Sequence, residues 1–385
     1  MKAEFLPGNR LKLLRSGAEY FPALETAIGK ARSAVFLETY IYAGDATGRR
    51  VTRALCEAAA RGAAVHVLVD GFGARDMPVH FVEQLREAGV RLLVFRPEML
   101  RFRFRRERLR RMHRKLAVAD DVAFVGGINV IDDMDTPGQT PPRYDFAAQI
   151  EGPLVGSVRR EAERLWNRVA LARLKPDWRV KMRSGHAPAA KGDQRAALVV
   201  RDNLRHRRSI ENAYLAAMDS AAEEIVIACA YFFPGRRFRR ALLRAAARGV
   251  RVALLLQGRV EYLLLDYATH ALYGGLLEAG VEIFEHGPGF LHAKVAVIDG
   301  RWATVGSSNI DPFSLLLARE ANVVVDDRRF AGRLRHALQD DIACCARVAG
   351  GARWSRRPLW RRIAYWLAYG VARLAIGIIG LGVRF

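Results

Sequence analysis

MHRKLAVADDVAFVGGIN at residues 112–129 and LHAKVAVIDGRWATVGSSN at residues 291–309 carry one pattern, H-x-K-x4-D followed by G-[GS]-x-N. With 9 His, 8 Lys and 20 Asp in 385 residues, chance supplies H-x-K-x4-D roughly 0.01 times. Two copies are therefore a signal. Each copy reads as a strand, a turn and a returning strand. Side chains alternate faces along a strand, so His113 and Lys115 project together, as do His292 and Lys294. Asp120 and Asp299 have the opposite parity and fall at D-D and D-G turns, where a structural role is expected. If the strands pair as a hairpin, Asn129 and Asn309 return beside the histidine and lysine, with Ser307 close behind in the second copy.

The surroundings of the two motifs also repeat. AAARG occurs at 58–62 and 245–249, followed by the apolar runs AVHVLVDG and VRVALLLQG. Upstream stand SAVFLETYIY (33–42) and EIVIACAYFFP (224–234), and downstream EAGV at 87–90 and 278–281. The order strand, helix, strand, helix, strand is thus written twice. Continuous apolar strands alternating with amphipathic helices such as RVTRALCEAAARG and RRFRRALLRAAARG predict an α/β fold of two similar domains, each a mixed β-sheet flanked by helices. The expected boundaries are a first domain over 1–170, a linker over 171–195 rich in Pro, Gly, Ser and charge, a second domain over 196–350, and a basic, aromatic tail over 351–385.

Composition narrows the partners. A hydrophobic fraction of 51% supports substantial cores. The net charge of +22 favours phosphate-bearing partners, either an anionic membrane surface or nucleic acid. Four cysteines, Cys56, Cys229, Cys344 and Cys345, are too few and too badly spaced for a disulfide framework or a cysteine zinc site. MKAEFLPGNR lacks the apolar core of a signal peptide.

The repeated residues suit displacement at a phosphodiester, which needs a nucleophile, stabilisation of the non-bridging oxygens and a proton for the leaving alkoxide. One neutral histidine attacks phosphorus and the opposite one protonates the leaving alcohol. Lys115 and Lys294, with Asn129, Asn309 and Ser307, are the candidate phosphate-binding groups. A compact ammonium does here what a metal ion does elsewhere, so neither metal nor cofactor is expected. A nucleophilic histidine also needs a carboxylate on its other nitrogen, and Asp145 (in RYDF) and Glu320 (in ARE) are the candidates. His66, His80, His186, His206, His270, His286 and His336 read as core or surface residues.

The paired motifs resemble the phospholipase D superfamily over about residues 8 to 345. The resemblance implies two α/β domains with the active site at their interface and a ping-pong reaction. By that likeness His113 is the nucleophile and His292 the general acid, then base. FLETYIY, LVDGFG, the arginine-rich approach to RRMHRK, and YDFAAQIEGP are similar to the bacterial cardiolipin synthases, in particular the short type without N-terminal transmembrane helices. That likeness implies transfer of a phosphatidyl group from phosphatidylglycerol, or a related lipid such as phosphatidylethanolamine, to an acceptor lipid alcohol. The alternatives are a phospholipase D or a nuclease in which water replaces the alcohol, or a catalytically silent binding protein. Both motifs being intact speaks against the last.

Two further segments bear on location. RFRFRRERLRRM (101–112) alternates arginine with phenylalanine just before the first motif and is expected to dock on phosphates. At the C-terminus an apolar run from Ile363 to Val383 is interrupted by Arg373, and Trp354, Trp360 and Trp366 stand with Arg361 and Arg362. This reads as an interfacial anchor, with a membrane span or a packing helix as alternatives. The expected location is peripheral, on the cytoplasmic side of the cell membrane, with nucleic acid only as the second choice of partner. Oligomeric state is not encoded in any of these features.

Overall fold

The computed structural model describes residues 4–97, 111–136, 141–182, 188–202, 206–259, 263–287, 289–311, 314, 318–348 and 358–379. Residues 101–110 of the basic approach, His186, Trp354 and the tail beyond residue 379 lie outside them.

The first half runs β1 (Leu6–Arg15), α1 (Ser16–Lys30), β2 (Ala34–Thr39), α2 (Ala46–Ala60), β3 (Ala64–Asp70), α3 (Val79–Glu87) and β4 (Arg91–Phe95). It continues with β5 (Lys115–Ala119), β6 (Val122–Gly126), β7 (Arg143–Tyr144), β8 (Phe146–Glu151) and α4 (Leu154–Ala172). The second half opens with β9 (Gln194–Arg201), α5 (Ser209–Ser220), β10 (Glu224–Cys229), α6 (Arg236–Ala247), β11 (Arg251–Gln257), α7 (Leu263–Glu278) and β12 (Glu282–His286). Then come β13 (Phe290–Leu291), β14 (Lys294–Ile298), β15 (Trp302–Gly306), β16 (Glu320–Asp326), a helix Arg328–Ala343, β17 (Ala346–Arg347) and a C-terminal helix Leu359–Ile379.

Among the described residues the strands form one 15-stranded sheet in the order β17-β12-β11-β10-β14-β15-β16-β9-β1-β8-β6-β5-β2-β3-β4, with β7 and β13 paired separately. The order reads outward from the β9–β1 seam with the same pattern on both sides. In each half the outer three repeat strands are parallel and the remaining pairs antiparallel. At the seam itself Leu6 faces Ala196 and Asn9 faces Gln194 across an irregularity in register. The buried amide of Asn9 holds that junction: Nδ2 donates to Leu6 O at 2.7 Å and Oδ1 accepts from Leu154 N at 2.8 Å.

The apolar runs become interior strands because helices cover both faces of the sheet. In α6, Phe238, Ala241, Leu242 and Ala245 form the buried stripe of an otherwise arginine-rich helix, at the i, i+3, i+4, i+7 spacing of one helix face. Asp45 caps α2 by accepting from Gly48 N at 2.8 Å. A central cluster spans both halves, from Phe36, Val118, Ile150 and Trp166 to Val226, Val295, Phe330 and Leu338, with separate outer clusters under α1–α3 and α5–α7. The beginning of the 171–195 stretch folds back onto α4. Trp166 Nε1 donates to Trp178 O at 2.7 Å, and Asn167 makes two bonds with Val180.

Candidate active site

Each motif is a hairpin, β5–β6 or β14–β15, tethered at its turn by the motif's aspartate. Asp120 and Asp299 adopt left-handed backbone, φ 46° and 50°, a conformation Asp tolerates better than most residues. The Asp120 carboxylate accepts from the backbone N–H groups of Arg32, Ser33 and Ala34, with the shortest bond 2.7 Å from Arg32. Asp299 does the same with Ala222, Glu223 and Glu224, at 2.9, 2.8 and 2.9 Å. Both clamps hold the hairpin to the start of the neighbouring strand, far along the strand from the histidines.

At the other end of the hairpins the halves interlock. Met112 bridges to Arg319, with His113 N donating to Arg319 O at 3.0 Å and Arg319 N to Arg111 O at 2.8 Å. In the mirror position β13 pairs with β7, and His292 N donates to Tyr144 O at 2.8 Å. Each lead-in therefore delivers its histidine to a carboxylate of the opposite half. His113 Nδ1 lies 3.0 and 3.2 Å from the Glu320 oxygens, and His292 Nδ1 lies 2.6 Å from Asp145 Oδ2. A carboxylate on Nδ1 selects the tautomer whose Nε2 carries a free lone pair. The sequence placed Asp145 and Glu320 just beyond each motif; that they serve the opposite motif's histidine appears only in three dimensions.

Burial sets the electrostatics. It pushes His292 down to about 3, helped by the Lys294 charge and opposed by Asp145. It lowers His113 as well, against the pull of Glu320. Both imidazoles are thus neutral at physiological pH, the form that can act as a nucleophile or base. Lys115 is brought down by burial to about 7, and Lys294 is lowered by the same cause. Burial would raise Asp145, but Lys294 and His292 outweigh it and hold its carboxyl below the usual range. Charges of one half act on the other throughout: Lys294 on His113, and Lys115 on His292. A phosphate between the two ammoniums would favour their charged forms.

The remaining expected residues divide. Lys115 Nζ donates to His113 O at 2.6 Å, and Lys294 Nζ donates to His292 O and lies 3.5 Å from Asp145 Oδ2. Asn129 and Asn309 are buried, and Asn129 Oδ1 accepts from Ile41 N at 3.1 Å while Asn309 Oδ1 has no partner. Ser307, expected as a phosphate donor, is instead turned behind the imidazole. Its hydroxyl donates to Glu320 Oε2 at 2.5 Å and accepts from Ala321 N at 3.1 Å, so its hydrogen-bonding capacity goes to the carboxylate and strand β16. Among the described residues no group of three or more His, Cys, Asp or Glu is gathered to hold a metal ion.

Three supporting residues escaped the sequence reading. Tyr40 packs its ring edge-on against His113 at 5.0 Å, with Lys115 Nζ 5.4 Å from the same ring. Asp70, fully buried, accepts from Met112 N at 2.8 Å and so fixes the residue before the histidine. Arg114, between the two motif residues, points to the other face and forms a bidentate pair with buried Glu38. LVDGFG and FLETYIY hold Asp70, Glu38 and Tyr40, but nothing in their spacing says which of them turn toward the histidine.

Comparison with known proteins agrees with this geometry. A family model described as "Cardiolipin synthase, PLD-like domain" matches residues 24–136 and 214–342, one segment over each hairpin. The chain belongs to this family. It is a phosphatidyltransferase of the phospholipase D superfamily, cardiolipin synthase-like along nearly its whole length. Cardiolipin synthase B of Escherichia coli (strain K12) is 38% identical over 382 residues, covering 99% of this chain and 92% of that protein. The major cardiolipin synthase ClsA of Bacillus subtilis (strain 168) is 30% identical over 367 residues, 94% of this chain and 74% of that one. Among solved structures, phosphatidylserine synthase of Haemophilus influenzae Rd KW20 superposes with a TM-score of 0.69 at 14% identity, covering 98% of this chain and 96% of that one, a likeness of fold.

Proposed function

We propose that this phosphatidyltransferase moves the phosphatidyl group of phosphatidylglycerol onto the glycerol hydroxyl of a second phospholipid, releasing glycerol, through a phosphohistidine on His113. The observation that carries the reading is the crossed pairing of His113 with Glu320 and His292 with Asp145. It gives two neutral imidazoles in one site, each with Nε2 free, between two ammoniums. Nε2 of His113 attacks phosphorus as His292, carrying a proton taken from solvent when the anionic phosphate enters or kept from the previous acceptor hydroxyl, gives it to the departing glycerol oxygen. The acceptor hydroxyl then surrenders its proton to His292 while its oxygen displaces His113. Lys115 and Lys294, with the amides of Asn129 and Asn309, hold the equatorial oxygens. Asp120 and Asp299 keep the hairpins in place.

The enzyme works at an anionic membrane surface, on the cytoplasmic side. No helix among the described residues is long and apolar enough to cross a membrane. The C-terminal helix instead lies along α7, with Ala368 and Ala372 buried and Tyr369 against Phe233. It turns Leu359, Trp360, Ile363, Trp366, Leu367, Val371 and Leu374 outward, and Leu263 and Leu264 at the start of α7 are exposed too. Such a face, with Arg361 and Arg362 beside it, suits the head-group boundary of a bilayer.

Purified protein with phosphatidylglycerol vesicles in EDTA should form cardiolipin and free glycerol in equal amounts. Phosphorus-labelled donor should leave an acid-labile label on the protein that His113→Ala abolishes. Production of phosphatidic acid alone would make the enzyme a hydrolase, and label retained in His113→Ala would reverse the histidine roles.

A further inference from the structure

The paired strands allow the two halves to be matched residue by residue. Lys115 corresponds to Lys294, and Glu38 faces Leu116 as Ala228 faces Val295. Two residues further, Tyr40 of the first half corresponds to Ala230 of the second. The Tyr40 ring fills the space at the end of β3: it packs on His113, and a Cβ on Gly73 would meet its Cδ1 at 2.9 Å. Ala230 has no ring to do so. The corresponding space, at the ends of β10 and β11, is a cleft open to solvent, lined by Ala230, Tyr231, Gln257, Arg259, Leu265 and Asp266 among others.

A second contrast reinforces the first. In the strand registers Asp70 corresponds to Gln257. Asp70 is saturated by Met112 N, Phe72 N and Gly73 N. Gln257 gives its Nε2 to Leu291 O at 3.4 Å, while its Oε1 is buried at the cleft without a partner. One copy of this position is closed and the other is open, with a vacant acceptor. The open copy adjoins the catalytic strand: Ala230 N donates to Ala293 O, between His292 and Lys294, at 2.9 Å.

We propose that this cleft is the alcohol subsite of the transferase, and that it takes a polyol head group: the glycerol of the acceptor lipid, and before it the leaving glycerol. Gln257 Oε1 and Asp266, which also faces His270 at 3.4 Å, accept from the hydroxyls, and Arg259 donates. Ala230 and Gln257 bind the backbone of Ala293 and Leu291, the two neighbours of His292, so a hydroxyl seated there lies beside the segment that carries that imidazole. Its proton passes to Nε2 of His292 as the new O–P bond forms. The P–N bond to His113 breaks, and its electron pair returns to that imidazole. The assignment rests on the phosphatidyl-transfer reading and adds where the alcohol sits.

The test is the partition of the phosphorylated enzyme between alcohol and water, a ratio that does not depend on how fast the donor was cleaved. Wild-type enzyme is given phosphatidylglycerol vesicles and radiolabelled glycerol, and labelled phosphatidylglycerol is measured against phosphatidic acid. The wild-type ratio should saturate with glycerol. Ala230→Tyr, which restores the plug of the first half, should lower it by about tenfold or more at equal glycerol and remove the saturation. Leu265→Phe narrows the cleft from its helix wall and decides the matter if the tyrosine variant forms neither product. An unchanged ratio, or loss of both products in both variants, overturns the subsite. A wild-type enzyme making neither labelled phosphatidylglycerol nor cardiolipin defeats the underlying reading instead.

Discussion

Nδ1 of His113, in the first repeat, lies 3.0 Å from Oε1 of Glu320, in the second. A carboxylate so placed fixes the ring tautomer and stabilises the cation that forms during proton transfer. Glu320→Gln can present its amide N–H to Nδ1 and stabilise the wrong tautomer. It should therefore lower kcat by ~10²- to 10⁴-fold with a small effect on KM. Ser307→Ala removes a donor to that carboxylate and an acceptor for Ala321 N, but leaves the carboxylate on Nδ1, and should cost far less. Steady-state kinetics on dispersed phosphatidylglycerol separate the two; equal losses would place Ser307 at the substrate.

The turn aspartates should matter for stability more than for chemistry. Asp120→Ala strands three backbone N–H groups and should cost ~1–3 kcal/mol of unfolding free energy. Partial burial favours the neutral Asp120 carboxyl, but the donors from Arg32, Ala34 and Ser33 outweigh it and its pKa is lowered. The sign follows. Its stabilisation is present above the unfolded value of about 3.9 and fades as pH falls through the lower folded value. Urea midpoints of wild type and Asp120→Asn should converge in acid; a gap that persists or widens would contradict the clamp.

Alkali should loosen the C-terminal helix. His270 faces Asp266 at 3.4 Å and Glu285 at 3.5 Å, with Tyr273 and Tyr365 stacked or tilted against its ring. Burial disfavours its charge, yet the two carboxylates carry it up to about 9. The stabilisation is whole below pH 6.5 and is lost as pH rises through about 9, at most roughly 3 kcal/mol. Limited proteolysis between α7 and the C-terminal helix should quicken from pH 7 to 10 in wild type. In His270→Gln it should be fast at both, and an unchanged wild-type rate would count against the cage.

Membrane attachment should reside in the outward tryptophans. Trp360→Ser with Trp366→Ser removes exposed rings without touching the α7 contact, unlike deletion of the helix, which would bare Phe233 and Tyr267. Flotation with anionic vesicles should weaken about tenfold or more, while cleavage of a soluble phosphodiester holds. Parallel losses would make this face a folding element.

The duplication, the alternation of strands with helices and both histidine–lysine pairs were legible because each is a local pattern: a spacing, an alternation of faces, a repeated string. Asp145 and Glu320 could be picked as carboxylates beside returning strands. Their exchange between halves could not, since it depends on the lead-ins pairing as Met112 with Arg319 and Leu291 with Tyr144, contacts between segments far apart in the chain. Ser307 misled for a related reason. Its place in G-S-x-N puts it near phosphate, but a carboxylate 13 residues on captures its hydroxyl. The contrast of Tyr40 with Ala230 stands in TYIY (39–42) and CAYF (229–232), but becomes meaningful only once the strands are in register.

The exchange of carboxylates also has a bearing on descent. A lone repeat would own an imidazole and a carboxylate that could not reach each other, and would come to life only by finding a twin. Joining twins in tandem holds the local concentration on the order of millimolar however dilute the cell's supply becomes. It also ends the twins' obligation to be identical. In a symmetric pair every substitution is inherited twice over, once per side. A fused pair can keep glutamate on one side and aspartate on the other, a ring at 40 and a gap at 230, and so give the two faces of one reaction to different hands.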